Sequence, residues 1–249
     1  MWAFLYRLAS PSHFYRLSGQ AIPWFATIAL LALGVGTVWG LGFAPGDYQQ
    51  GDAMRIIYIH VPAAFMSMAV YSYMAFLAIL FLVWRIKIAG MLMNLCAPVG
   101  AMMTAIALFT GSLWGKPMWG TWWIWDARLT SELILLFLYL GIMALNSALS
   151  QRSDAQKAVA ILVLVGVIDL PIIHYSVYWW NTLHQTSTLS VFAKPKIAPS
   201  MLMPLLLMVV GFACYVGWSI LLKARSEILT QERKSQWVKN LVIGGVNVR

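Results

Sequence analysis

The sequence predicts an all-α integral membrane protein of six transmembrane helices, with both termini cytoplasmic and a tryptophan-rich periplasmic loop between helices 3 and 4. Three observations carry this. First, 61% of the 249 residues are hydrophobic and 10% are charged, against about 25% charged in soluble domains. Second, six apolar runs are each near the roughly 20 helical residues that cross a bilayer. They are Ile22–Phe43, Pro62–Trp84, Met91–Leu113, Ser131–Leu149, Ala158–Tyr178 and Met201–Leu222. Third, Arg7, Arg16, Arg85, Lys87, Arg152, Lys157, Lys223, Arg225, Arg233, Lys234, Lys239 and Arg249 fall on one side of this alternation, and Arg55, Lys116, Arg128, Lys194 and Lys196 on the other. The positive-inside rule places the larger set in the cytoplasm. No internal repeat or long linker divides the chain, so residues 1–249 are read as one membrane domain.

The first apolar run follows a segment, Met1–Gln20, that lacks a signal-peptide pattern. Its Trp2, Phe4, Leu5, Tyr6 and Leu8 fit a short interfacial amphipathic stretch. Beyond the first run lies an outer segment, 44–61, which ends in His60 just before Pro62. The second and third runs are joined by a short basic turn near Arg85–Gly90, and the third leads into the outer segment 114–130. The fourth and fifth runs are joined on the cytoplasmic side by Ser150–Lys157. After the fifth comes the third outer segment, 179–200, which carries His184. The sixth run ends in a basic tail. Basic segments beside membrane helices touch anionic lipid, so the formal charge of +9 indicates membrane lipid rather than nucleic acid.

The segment 114–130, WGKPMWGTWWIWDARLT, holds Trp114, Trp119, Trp122, Trp123 and Trp125. An interfacial aromatic belt explains Trp39, Trp84, Trp179 and Trp218. It explains five indoles in twelve residues poorly, because Gly115, Pro117 and Gly120 give the segment a shape that a helix end does not need. The reading is an exposed aromatic platform whose first half is not a regular helix.

His60 and His184 lie at the outer rim, before the second run and after the fifth. If those two spans are neighbours, the imidazoles face each other across a flat ligand. Two neutral imidazoles bind haem iron axially, and a porphyrin needs apolar walls, which the tryptophans supply. The alternative is two hydrogen-bonded interfacial histidines. His174 competes with His184, its other reading being a core histidine bonded to a carbonyl freed by Pro171. Asp126 reads as structural, either a cap or a partner of Arg128, with Thr130 the better N-cap candidate and Glu132 in the first helical turn. Arg128, Arg55 and Lys116 suit either haem propionates or lipid phosphates. Asp169, inside the fifth run, reads as a protonated acid bonded to backbone or as a proton relay. Cys96 and Cys214 read as inert buried thiols. There is no CxxCH haem-attachment motif and no GxxxxGK[ST] phosphate loop, so the chain is not expected to be a c-type cytochrome or to hydrolyse ATP.

These strings carry a resemblance. WGKPMWGTWWIWDARLT resembles the "WWD" signature of periplasm-facing haem handlers. IIYIHVPAAF and HYSVYWWNTLHQ are similar to the histidine segments of the haem-handling C family of bacterial cytochrome c maturation (the CcmC family). The likeness runs from about Phe14 to Leu222. It implies that His60 and His184 are axial ligands to the iron of haem b. It implies that the motif, with Trp114, Trp119, Trp122, Trp123, Trp125, Asp126 and Arg128, forms the haem surface, and Arg55 is counted with it as a candidate propionate partner. The tryptophan motif would also meet a periplasmic haem chaperone (CcmE), to which haem becomes covalently attached. Further implied partners are an ABC-transporter pair (CcmA and CcmB), which would use the ATP, and a small single-span protein (CcmD). The implied function is haem delivery at the outer face of the bacterial inner membrane, without enzymatic chemistry of its own. A membrane b-type cytochrome exchanging electrons with quinol and a haem-free permease subunit remain the alternatives.

Overall fold

The computed structural model describes residues 10–149, 152–184 and 197–246. The N-terminal amphipathic stretch and most of the outer segment after His184, with Lys194 and Lys196, lie outside the described residues. The regular elements among the described residues are helices. They are α1 (Pro11–Thr37), continued by a π-turn at Val38–Phe43; a 3-10 turn at Asp52–Ile56; α2 (Ile57–Trp84); α3 (Lys87–Trp119); α4 (Ala127–Ala148); α5 (Arg152–Gly166); α6 (Asp169–Trp179); α7 (Pro199–Gln231); and α8 (Gln236–Val246). Six helical stretches are long and apolar enough to cross a membrane, and the chain is a multi-pass membrane protein.

Four of these stretches run 33 residues, or about 50 Å at 1.5 Å per residue, against a hydrocarbon layer of about 30 Å. Apolar runs therefore under-read the helices. α1 begins eleven residues before Ile22, with Pro11 in its first turn, where a missing N–H costs nothing. α7 continues past Leu222 to Gln231, through charged residues that hydropathy excludes.

The fifth span is broken in two. Pro171 cannot donate to the carbonyl of Val167, and its ring crowds that carbonyl. Val167 instead accepts from Leu170 N at 3.1 Å, and Ile168 N turns back to Val165 O at 3.4 Å. α6 restarts at Asp169, which is 7% exposed.

Two pairings organise the bundle. α2 and α3 are antiparallel across a two-residue connection, in which Arg85 adopts a left-handed conformation (φ 56°) and Ile86 is extended. α1 packs along α7. α4, α5 and α6 complete the core around α2 and α3, where Tyr71, Met74, Met93, Cys96, Leu135 and Tyr139 are fully enclosed. The second and fifth spans, whose adjacency is a condition of the sequence reading, touch through α2 and α5, while α6, which leads to His184, packs on α4. Cys96 and Cys214 are free thiols; Cys96 is buried and Cys214 only partly so, a correction to the expectation for Cys214. A smaller cluster of Met54, Ile57, Tyr58, Met201, Leu205 and Met208 sits at the other end of the bundle from Arg85, with Trp114 packed against it. That end holds the site.

Candidate functional site

The tryptophan segment departs from the expected irregular loop. α3 runs unbroken through Gly115 and Pro117 to Trp119, and Gly120 ends it in the left-handed conformation (φ 74°). Gly115 is required by close approach rather than by freedom. A Cβ there would lie 3.0 Å from the Trp119 ring and 3.3 Å from the Thr121 carbonyl. Pro117 forgoes the one bond its N–H would have made to the Leu113 carbonyl, and the helix ends two residues later. The helix thus presents Trp114 and Trp119 from a rigid wall, and only residues 120–126 form the irregular connection.

Between α2, α3 and the start of α4 lies an open cavity of about 230 Å³, lined by both His60 and His184. The two imidazole ring centres are 6.3 Å apart and inclined at 35°. Trp119 lies 6.1 Å from His184, and Trp114 meets His60 edge-on at 5.7 Å. Trp123 and Arg128 complete the set of expected residues in the lining.

His60 is fixed by α3. Its Nδ1 lies 3.0 Å from the Ala107 carbonyl and 3.1 Å from Thr110 Oγ1. A carbonyl only accepts, so Nδ1 carries the proton and Nε2 keeps its lone pair. The Thr110 hydroxyl spends its own proton on the Ile106 carbonyl at 2.6 Å, which leaves it an acceptor toward His60. Gly111 makes room for the ring, since a Cβ there would sit 3.0 Å from His60 Cε1.

His184 is held differently. Its backbone N–H donates to Thr182 Oγ1 at 3.1 Å, and the Thr182 hydroxyl donates to Asp126 Oδ2. Asp126 Oδ1 in turn accepts from Leu129 N at 2.8 Å, which makes Asp126 the N-cap of α4. Thr130 is therefore not the cap; its N–H already bonds the Asp126 carbonyl at 3.0 Å. The helix starts early because Asp126 itself takes the extended backbone that a cap needs (φ −93°, ψ 170°). Asp126 does not line the cavity; it ties the His184 segment to α4.

The remaining expected residues are spread around the rim. Arg128 lines the cavity and donates to the Ile173 carbonyl at 3.0 Å. Arg55 is turned away, bonded to Asp52 at 2.9 Å and to the Gly40 and Leu41 carbonyls at 3.2 and 2.9 Å. Trp122 and Trp125 are exposed outside the cavity; Lys116 sits 5.8 Å over the Trp122 ring, and Trp125 packs edge-on against Trp123 at 5.5 Å. His174 lies against Tyr175 at 4.8 Å and is not among the lining residues.

Sequence reasoning missed four contributors. Gln50 accepts from Trp114 Nε1 at 2.9 Å and is presented by a turn in which Asp47 Oδ1 accepts from the Gln49 and Gln50 N–H groups, each at 2.9 Å. Gly111 and Thr182 act through packing and a single hydroxyl. Glu132, read as a first-turn acid, is buried in the cavity wall and meets Ser67 at 2.7 Å. Its position inside a membrane span was the available signal.

Fold and site define a class: a six-span membrane protein with an open, tryptophan-walled cavity that presents two facing imidazoles at one end of the bundle. The chain belongs to the family of Heme exporter protein C, whose model matches residues 4–239. It is 53% identical to "Heme exporter protein C" of Haemophilus influenzae over 241 residues, covering 97% of this chain and 98% of that one. The protein of the same name from Escherichia coli is 52% identical over 243 residues, covering 98% of each. A "Putative cytochrome c biosynthesis ccmC-like mitochondrial protein" of Marchantia polymorpha is 44% identical over 215 residues, covering 86% of this chain and 89% of that one.

Proposed function

We propose that the cavity holds haem b, with His60 and His184 as axial ligands, and presents it to a periplasmic haem chaperone for c-type cytochrome assembly. The observation that carries this is the 6.3 Å between the two ring centres. Two imidazoles that share one iron, each through a metal–nitrogen bond of about 2 Å, have centres about 6 Å apart. The hydrogen-bonded Nδ1 of His60 supports the same reading, because a ligating imidazole commonly anchors its second nitrogen in this way. The donor set fits haem iron, and Trp114, Trp119 and Trp123 supply apolar walls. Arg128 is the cation in the lining that suits a propionate.

Haem is cargo here, not a resident catalyst. The cavity's open mouth leaves an edge of the ring within reach of a protein acceptor, and the exposed Trp122 and Trp125 lie beside that mouth. The chain's own work is to bind, orient and release. In this reading the cavity faces the periplasm from the bacterial inner membrane, both termini are cytoplasmic, and ATP is used by ABC-transporter partners. The test is His60→Ala and His184→Ala in membranes that contain the chaperone. Each variant should retain at least tenfold less haem and load the chaperone poorly. Normal loading by both variants contradicts the ligand assignment.

A further inference from the structure

The cavity wall carries a carboxyl group that haem ligation does not use. Glu132, one turn along α4 from Arg128, is 8% exposed and lines the cavity. Its Oε1 lies 2.7 Å from the Oγ of Ser67. Ser67 is seven residues after His60 on α2, about 10 Å deeper along the helix.

Ser67 has one hydroxyl proton and two acceptors in reach: Glu132 Oε1 at 2.7 Å and the Ala64 carbonyl at 2.8 Å. The carbonyl can only accept. The nearby Tyr139 hydroxyl donates to the Ser67 carbonyl at 2.7 Å, not to the Ser67 hydroxyl. Two proton arrangements therefore satisfy the same heavy-atom positions. With Glu132 ionised, Ser67 donates to it. With Glu132 neutral, the carboxylic acid donates to Ser67 Oγ, and Ser67 donates to Ala64. No atom heavier than hydrogen has to move between them.

The charged groups acting on Glu132 are Arg128, on its own helix, and Asp169, at the restart of α6. Asp126 at the head of α4 acts in turn on Arg128. His60 and His184 line the same cavity, and Tyr71 and Tyr139 are the phenols packed below it. Asp169 Oδ2 and the Tyr71 hydroxyl are buried without hydrogen-bond partners among the described residues, and neither is bonded to Glu132. A carboxylate buried at membrane depth is costly even with one cation near it. A positive charge brought into the cavity offsets that cost.

We propose that Glu132 is a proton-exchanging group of the cavity, neutral before loading, which gives up its proton when ferric haem arrives. The inference rests on the haem reading of the cavity. The iron–porphyrin core of ferric haem carries one positive charge. Glu132 loses one proton, which leaves through the open mouth, and no electron is transferred.

The experiment adds hemin to the haem-free full chain in weakly buffered detergent and follows the Soret band together with a pH indicator. The wild type should release about one proton more per haem bound than Glu132→Gln, with bound haem counted for each protein from its own Soret band. With haem kept reduced, whose core is neutral, the difference should vanish. Equal release from the two proteins overturns the proposal while the haem reading stands. Absence of any Soret shift in the wild type overturns the haem reading itself. If Glu132→Gln does not fold, Ser67→Ala serves: it removes the Glu132 partner and should shift the pH range of proton release, and an unshifted range overturns the proposal.

Discussion

The two histidines face one another, yet they are mounted on different kinds of support. His60 is built into a helix pair: a carbonyl and a threonine on α3 hold its Nδ1, and Gly111 leaves room for the ring beside that helix. His184 follows the end of α6 on an irregular segment, tied to α4 through Thr182 and the Asp126 cap. One imidazole belongs to a wall and the other to a jaw. The Thr182–Asp126 link joins the second imidazole to the head of α4, whereas the first is held within the α2–α3 pair. The contrast teaches that Asp126, the acid of the tryptophan motif, joins the His184 segment to the head of α4.

The contrast can be broken at several points. The largest effect is expected at the wall. Gly111→Val would drive side-chain atoms into His60, since even a Cβ lies 3.0 Å from its Cε1. Haem content after purification should fall at least tenfold, with helical circular dichroism unchanged. Haem content near wild type would mean that the wall is soft.

Next comes the tether. Thr182→Val removes the hydroxyl joining His184 to Asp126 and should raise the rate of haem loss to an apoprotein acceptor several-fold, with little change in thermal stability. Asp126→Ala should do the same and also destabilise α4 by about 0.5–2 kcal/mol, the usual cost of a lost N-cap. Asp126→Asn keeps the cap and weakens only the tether, so it should match Thr182→Val in haem loss and the wild type in melting temperature. If Asp126→Asn instead melts like Asp126→Ala, the cap and tether roles are not separable as described.

The smallest effect is expected where the first outer segment meets the platform. Gln50→Leu leaves Trp114 Nε1 without its 2.9 Å acceptor. At a solvent-accessible rim water replaces much of that bond, so haem affinity should drop only two- to fivefold. A loss as large as that of Gly111→Val would place Gln50 among the primary supports.

The contrast also separates what the sequence could announce from what it could not. The six spans were legible because twenty apolar residues in a row have few other uses. Their ends were not, because helices such as α1 and α7 continue through polar residues beyond the hydrocarbon. The facing histidines were legible as two rim residues on one side of the membrane. The shape of the platform was misread at Gly115 and Pro117. Both suggest a break, yet the glycine is there for the Trp119 ring and the proline falls where a helix was ending anyway. Thr130 looked like the cap by residue type, and only backbone geometry moved that role to Asp126. The Thr182 tether and the Ser67–Glu132 contact join residues 56 and 65 positions apart, and no local pattern encodes such pairs.

The central claim is that one iron is shared by both imidazoles, and electron paramagnetic resonance of the ferric protein tests it most directly. Wild type should give a low-spin signal typical of two imidazole ligands, and His60→Ala and His184→Ala should each convert any retained haem to a high-spin form. An unchanged low-spin signal in either variant would contradict the account.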